Sequence, residues 1–202
     1  MVANDRSRIF MSTPKILAFA GSTREGSFNK KLAKIAAEGA KSAGADVTFI
    51  DLRDYPLPLY DQDLEDREGF PENARKLKDL FIESDGFLIA SPEYNSSLSG
   101  VLKNAIDWVS RPQGDEPMLF PFRGKAAAIM SASPGGLGGM RGLIHLRSIL
   151  GNIGMLVLPD QKAISGAGSA FDDSDRLKDP QKQEAIEQLG VKLAQTLSKL
   201  KA

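Results

Sequence analysis

Residues 21 to 29 read Gly-Ser-Thr-Arg-Glu-Gly-Ser-Phe-Asn. Ser22, Thr23 and Ser27 supply hydroxyls, Arg24 a guanidinium, and Gly21 and Gly26 a flexible backbone, all directly before a helical pattern. Free amides at a helix N-terminus, reinforced by the helix dipole, favour an anion, so this stretch suits a phosphate group. Lys30 and Lys31 fall in or beside the first helical turn, where the dipole disfavours cations unless an anion sits there; Glu25 partly offsets that inference. Gly21 and Gly26 have the spacing of a Walker A loop, but Ser27 and Phe28 stand where that loop needs Lys and Ser or Thr. The chain also has no G-x-G-x-x-G, so neither an NTPase nor a Rossmann dinucleotide site is indicated.

Two later stretches repeat the pattern of a polar loop after an apolar run. In Ser91-Pro92-Glu93-Tyr94-Asn95 the proline biases Ser91 toward extended backbone, so the chain leaves its strand stiffly and can present amides to a flat ligand, with Tyr94 over a ring edge. In Ser133-Pro134-Gly135-Gly136 the glycines permit close backbone approach. Each stretch alone also reads as an ordinary turn or loop; their coincidence is the stronger signal. Parts for other chemistries are missing. With no Cys and one His there is no thiolate nucleophile, disulfide framework or soft metal site. His145 has no Asp or Ser neighbour to form a relay and reads as a surface or interface residue. Lys103 and Asp107, spaced i,i+4, read as a helix-surface ion pair. No catalytic side chain and no metal ligand is expected.

These loops need elements to hold them. Ile16 to Ala20 reads as a strand, followed by a helix whose narrow face (Leu32, Ile35, Ala36, Gly39, Ala40, Ala43) suits close packing against a sheet. Residues 47–52 alternate as a second strand, and the Pro- and acid-rich stretch 54–70 reads as an excursion loop without regular structure. A helix over 71–83, a buried strand at 86–90 and a helix over 98–110 follow. Then come a strand at 125–131, a helix over about 140–150, a strand at 155–158 and an amphipathic C-terminal helix through Leu200. Strands alternating with helices imply an α/β fold, a parallel sheet covered on both faces. Ligands bind such sheets beyond the carboxyl ends of the strands, where the strand order reverses, and that rule collects all three loops.

Composition narrows the function further. Lys plus Arg and Asp plus Glu balance at 26 each, which provides no general field for nucleic acid or an anionic membrane surface. No apolar run approaches the roughly 18 residues of a membrane span, and the N-terminus lacks the apolar core of a signal peptide. A cytoplasmic protein is expected, with a disordered extension over 1–14 and one domain over 15–202. Trp108, Leu119, Phe120 and Phe122 suggest more apolar and aromatic surface than one domain needs, which predicts a homo-oligomer through helices 98–110 and 140–150 and the excursion loop.

In order and spacing, GSTREGSFN, SPEYNSSLSGVLKNAIDW and SASPGGLGGMRGLIHLRSIL resemble the NAD(P)H-dependent FMN reductase family, with its chromate and quinone reductases and related azoreductases. The resemblance covers about residues 15 to 165. It implies a flavodoxin-like three-layer sandwich, a five-stranded parallel sheet in the order 2-1-3-4-5, a bound FMN, and dimers or tetramers. By position, Ser22, Arg24, Ser27 and Asn29 would hold the FMN phosphate, with Phe28 beside them. Pro92, Glu93, Tyr94 and Asn95 would flank the isoalloxazine, and Ser131, Ser133, Gly135 and Gly136 would line its pyrimidine side. The implied activity is hydride transfer from NADH or NADPH to FMN and on to a quinone, azo compound, chromate or free flavin, with ping-pong kinetics. A flavodoxin-type electron carrier is the alternative; such carriers are usually strongly acidic, whereas this chain has zero formal net charge. One departure is Ser99, where the family usually has proline, which predicts a less rigid loop there.

Overall fold

The computed structural model describes residues 12–201. The apolar run at the start forms β1 (Lys15–Ala20), and the polar loop after it leads into α1 (Phe28–Ser42) and β2 (Asp46–Asp51). Then come α2 (Gln62–Glu68), α3 (Glu72–Glu83), β3 (Gly86–Ala90) and a short hairpin of β4 (Glu93–Tyr94) and β5 (Ser97–Leu98). The chain continues through α4 (Gly100–Ser110), β6 (Ala126–Ala132) and α5 (Met140–Asn152). It closes with β7 (Leu156–Ile164), α6 (Ala167–Ala170) and α7 (Pro180–Leu200). The five long strands pair in parallel in the order β2-β1-β3-β6-β7, which is 2-1-3-4-5 when the hairpin is set aside. β3 and β6 are buried along their whole length, as their composition, apolar or small except for Ser131, requires in the middle of a covered parallel sheet.

One face of the sheet packs on α1 and α7 through Leu32, Ile35, Ile186, Leu189 and Leu193. The other packs on α3, α4 and α5 through Phe81, Leu102, Ile106, Leu143 and Leu146. The small residues of α1 serve a helix contact as well as the sheet. A Cβ on Gly39 would lie 2.1 Å from the Glu187 carbonyl oxygen, and one on Gly190 only 1.9 Å from that of Ala36, so α1 and α7 touch backbone to backbone.

Several sequence expectations are corrected. The acid-rich excursion contains α2, started by Asp61, whose carboxylate accepts from the Asp63 N–H at 2.9 Å. Trp108 is wholly buried beneath this segment: its indole N–H donates to the Pro58 carbonyl at 2.8 Å, and the Tyr60 and Phe70 rings meet it edge-on. Phe122 is also core, packed on Phe81. These two aromatics therefore offer no surface to a partner, while Phe120 remains exposed.

β7 runs well past Leu158, because two extra residues bulge around Pro159 between the Val157 and Gln161 pairings. The Arg147 guanidinium holds that bulge through the carbonyls of Val157 and Pro159 and the side chain of Gln161. Of the extension expected over 1–14, residues 1–11 lie outside the described residues. Pro14 is buried, and its carbonyl accepts from the Asp46 N–H at 2.9 Å. Among the described residues no helix is long and apolar enough to cross a membrane.

Candidate cofactor site

The three polar loops meet at the carboxyl ends of β1, β3 and β6 around a cleft of about 230 Å³. From the first loop, Ser22, Arg24, Ser27, Phe28 and Asn29 line it; from the second, Pro92, Glu93 and Tyr94; from the third, Ser133. Pro134 of the third loop and Ala132 at the end of β6 line it as well; Ala132 carries no side-chain chemistry by which it could have been singled out in the sequence. Asn95, Gly135 and Gly136 are exposed on the adjoining loops and do not line the cleft. Ser131 lies behind the wall, fully buried against Gly139, where a Cβ would sit 1.9 Å from the Ser131 hydroxyl; that hydroxyl has no hydrogen-bond partner.

Ser27 occupies the N-cap position of α1, yet its hydroxyl caps no amide of the helix. The hydroxyl and the N–H groups of Phe28 and Asn29 thus remain as donors at one helix end, while the Lys30 N–H donates to the Ser27 carbonyl at 3.1 Å. Ser22 is buried, and its hydroxyl accepts from the Arg24 N–H at 3.3 Å. The Arg24 guanidinium stacks over the Phe28 ring, 5.1 Å from its centroid. Phe28 in turn lies parallel to Phe171 at 5.9 Å, a bracing residue that its distance along the chain hid from sequence reading. The donor set, two hydroxyls, a guanidinium and helix-end amides, matches the chemistry of a phosphate monoester.

The contacts of the first loop narrow the role of Asn29 and remove the inference from Lys30 and Lys31. Asn29 spends both ends of its carboxamide on the backbone of Ala132, donating to its carbonyl and accepting from its N–H, each at 2.9 Å. It bolts the start of α1 to the end of β6, which leaves the second N–H of its amide as the one side-chain donor for a ligand in the cleft it lines. Lys30 points away to Asp51 at 2.6 Å, and Lys31 reaches Asp175 at 2.6 Å. Their charges are answered by protein carboxylates, so they carry no information about a bound anion.

The second loop is a β-hairpin whose turn residues, Asn95 and Ser96, both have positive φ (51° and 66°), the geometry of a type I′ turn. Glu93 on β4 ties the hairpin to α5. Its carboxylate accepts from the Gly142 N–H at 3.0 Å and from the Arg141 guanidinium at 2.9 Å. This supplies the cap that α5 lacks, since its own N-cap residue is Gly139. Burial pushes the Glu93 pKa up, but the Gly142 N–H and the Arg141 guanidinium outweigh it and hold the carboxyl below its ordinary range.

His145 meets Ser97 on β5 of the hairpin at 3.0 Å and does not line the cleft. Ser99, expected to leave its loop less rigid, is buried and hydrogen-bonded on two sides. Lys103 and Asp107 form the surface pair expected of them. Among the described residues no cluster of three or more His, Cys, Asp or Glu could hold a metal.

A doubly wound parallel sheet with a phosphate-suited loop after its first strand and a cleft at the switch point fits a flavin-nucleotide-binding protein of flavodoxin-like architecture. The comparisons make this specific. The family model described as NADPH-dependent FMN reductase matches residues 14–169, and the chain belongs to that family. An NAD(P)H-dependent FMN reductase of Pseudomonas aeruginosa is 39% identical over 175 residues, covering 86% of this chain and 90% of that protein. A quinone reductase of Escherichia coli K12 is 35% identical over 174 residues, 86% of each chain. Among solved structures, FerB, a flavoenzyme NAD(P)H:(acceptor) oxidoreductase from Paracoccus denitrificans, superposes with a TM-score of 0.75 at 28% identity, covering 93% of this chain and 98% of that one. The protein is an FMN-dependent oxidoreductase that uses NAD(P)H.

Proposed function

We propose that Ser22, Arg24, Ser27 and the first-turn amides of α1 hold the FMN phosphate, with the isoalloxazine between the β4–β5 hairpin and the loop from Ser133 to Gly136. The observation that carries this reading is the Ser27 hydroxyl, which stands at a helix N-cap and bonds no helix amide. Asn29 and Glu93 act one step back: the first fastens the phosphate loop to β6, and the second fastens the hairpin to α5. Tyr94, more than half exposed at the rim, covers a ring edge. FMN supplies the hydride chemistry, and the protein's tasks are binding and alignment. No side chain of the cleft is assigned as an acid or base.

Quinones are the favoured second substrate. The E. coli relative is named a quinone reductase, and a Burkholderia protein 41% identical over 144 residues is named a 2-hydroxy-1,4-benzoquinone reductase. Azo compounds, chromate and free flavin are further acceptors to compare. NAD(P)H and the acceptor use the same ring face in turn, which gives ping-pong kinetics.

The active unit is a cytoplasmic homo-oligomer, dimer or tetramer, of one flavin-binding domain over 15–202. Exposed Val101, Met140 and Ile144 and the open groove of about 580 Å³ between α4 and α5, with Leu98 and Ile149 in its wall, support an interface on that face.

Titration of the FMN-free protein tests the cofactor assignment. If Arg24 contributes one charge-assisted bond, Arg24→Ala weakens FMN by roughly tenfold to a hundredfold; an unchanged Kd contradicts the assignment.

A further inference from the structure

The phosphate loop is held from outside the cleft as well as from within it. Ser99, 1% exposed, precedes α4 and makes two hydrogen bonds with one hydroxyl. Its Oγ accepts from the Leu102 N–H at 3.2 Å, an N-cap bond, and donates to the Gly21 carbonyl at 2.5 Å. Gly21 is the residue immediately before Ser22, and its own N–H donates to the Ala90 carbonyl at the end of β3 at 2.9 Å. A Cβ on Gly21 would lie 2.8 Å from the Leu102 Cβ, so the backbone there rests directly on α4.

The Gly21 carbonyl and the Ser22 N–H belong to one peptide plane, and the described residues contain no cis peptide. In a trans peptide these two groups point opposite ways. Drawing the Gly21 carbonyl toward α4 therefore turns the Ser22 N–H away from α4. The orientation of the loop's first amide is set by a hydroxyl that does not line the cleft.

We infer that Ser99 is a positioning residue for the phosphate loop, and that its bond to the Gly21 carbonyl raises affinity for phosphate-bearing flavin over flavin without the phosphate. The inference rests on the assignment of the FMN phosphate to residues 22–29. With the hydroxyl gone, the buried Gly21 carbonyl loses its partner and the first peptide of the loop is free to rotate, which misaligns Ser22 and its amide. Because the ring contacts lie on other loops, affinity for the ring itself does not depend on Ser99.

The test is a fluorescence titration of the FMN-free full chain with FMN and, separately, with riboflavin, alongside thermal unfolding of the same flavin-free samples. Ser99→Ala and Ser99→Val remove the hydroxyl, Ser99→Thr keeps it, and Val and Thr match in shape. The expected result is that Ala and Val weaken FMN by about two- to tenfold, leave the riboflavin Kd unchanged, and that Thr restores the wild-type ratio. If Ala and Val only lower the melting temperature while the FMN-to-riboflavin ratio holds, and Ser27→Ala does alter that ratio, Ser99 is a helix cap alone and the inference is overturned. If Ser27→Ala also leaves the ratio unchanged, the phosphate assignment itself fails and the inference falls with it. Should the Ala variant not fold, the Val and Thr pair decides the question.

Discussion

Ser27 and Asn29 sit two residues apart and do opposite jobs, which gives the sharpest contrast between their variants. Removing an N-cap hydroxyl ordinarily costs about 1 kcal/mol, but the Ser27 hydroxyl bonds no helix amide. Ser27→Ala should therefore leave the flavin-free protein nearly as stable as wild type by thermal unfolding, while weakening FMN by about tenfold or more. Asn29→Ala strands the buried N–H and carbonyl of Ala132 and should cost about 1–3 kcal/mol of stability before any flavin is added. Glu93 makes a pH-dependent contribution. Its folded pKa is held below the ordinary value near 4.5, so the stabilisation is present above that value and is lost as pH falls through the lower, folded value. Glu93→Ala should cost about 1–2 kcal/mol at pH 7, and the gap to wild type should close as the pH is taken below 4.5 in equilibrium unfolding. A gap that stays constant across that range would remove Glu93 from the capping role. Residue types and spacing made the donors of the first loop legible, but not which of them were already taken. Asn29, Lys30 and Glu93 find their partners 103, 21 and 49 residues away, and no local pattern encodes such pairings.

At the scale of elements, α1 follows the loop proposed to hold the phosphate and is itself held against α7 by two glycines. Gly190→Ala drives a methyl group into the backbone of Ala36, so the helices must separate. The expected loss is about 1–3 kcal/mol or more in chemical denaturation, with FMN affinity falling as the start of α1 shifts. A variant of wild-type stability would show that the two helices are less closely packed than described. The strands and the helices that follow the loops were legible because apolar runs and 3.6-residue periodicity survive in them unbroken. Three features were not. α2 buries none of its residues and so has no periodic face to read. The hairpin turns on Asn95-Ser96 in place of the more recognisable Asn-Gly. β7 passes through a bulge at Pro159, a residue that ordinarily signals the end of a strand. Trp108 misled for a related reason: an aromatic on a helix says nothing of what folds over it, and the cover came from a stretch that reads as irregular.

For the whole molecule, the zero formal charge and the exposed apolar residues of α4 and α5 favour self-association. Ile144→Asp, on the exposed side of α5, should shift light scattering toward the monomer without unfolding the chain, whereas an unchanged mass would move the interface elsewhere. On the proposed ping-pong order, in which NAD(P)⁺ leaves before the acceptor enters, steady-state rates should give parallel double-reciprocal lines. His145→Ala should preserve single-turnover flavin reduction to within about tenfold, since alignment matters more than proton transfer here; a loss of ~10²-fold or more would make His145 a general acid or base. Every role proposed above depends on this fold holding FMN in the described cleft and exchanging hydride there. The most direct test is the anaerobic visible spectrum of the FMN-loaded protein, followed on addition of NADPH or NADH and then of a benzoquinone. The flavin bands should bleach with the nicotinamide, recover with the quinone, and be much weakened when Ser27→Ala and Arg24→Ala are combined. Bands that persist unchanged in the presence of both NADPH and NADH would contradict hydride exchange in this cleft.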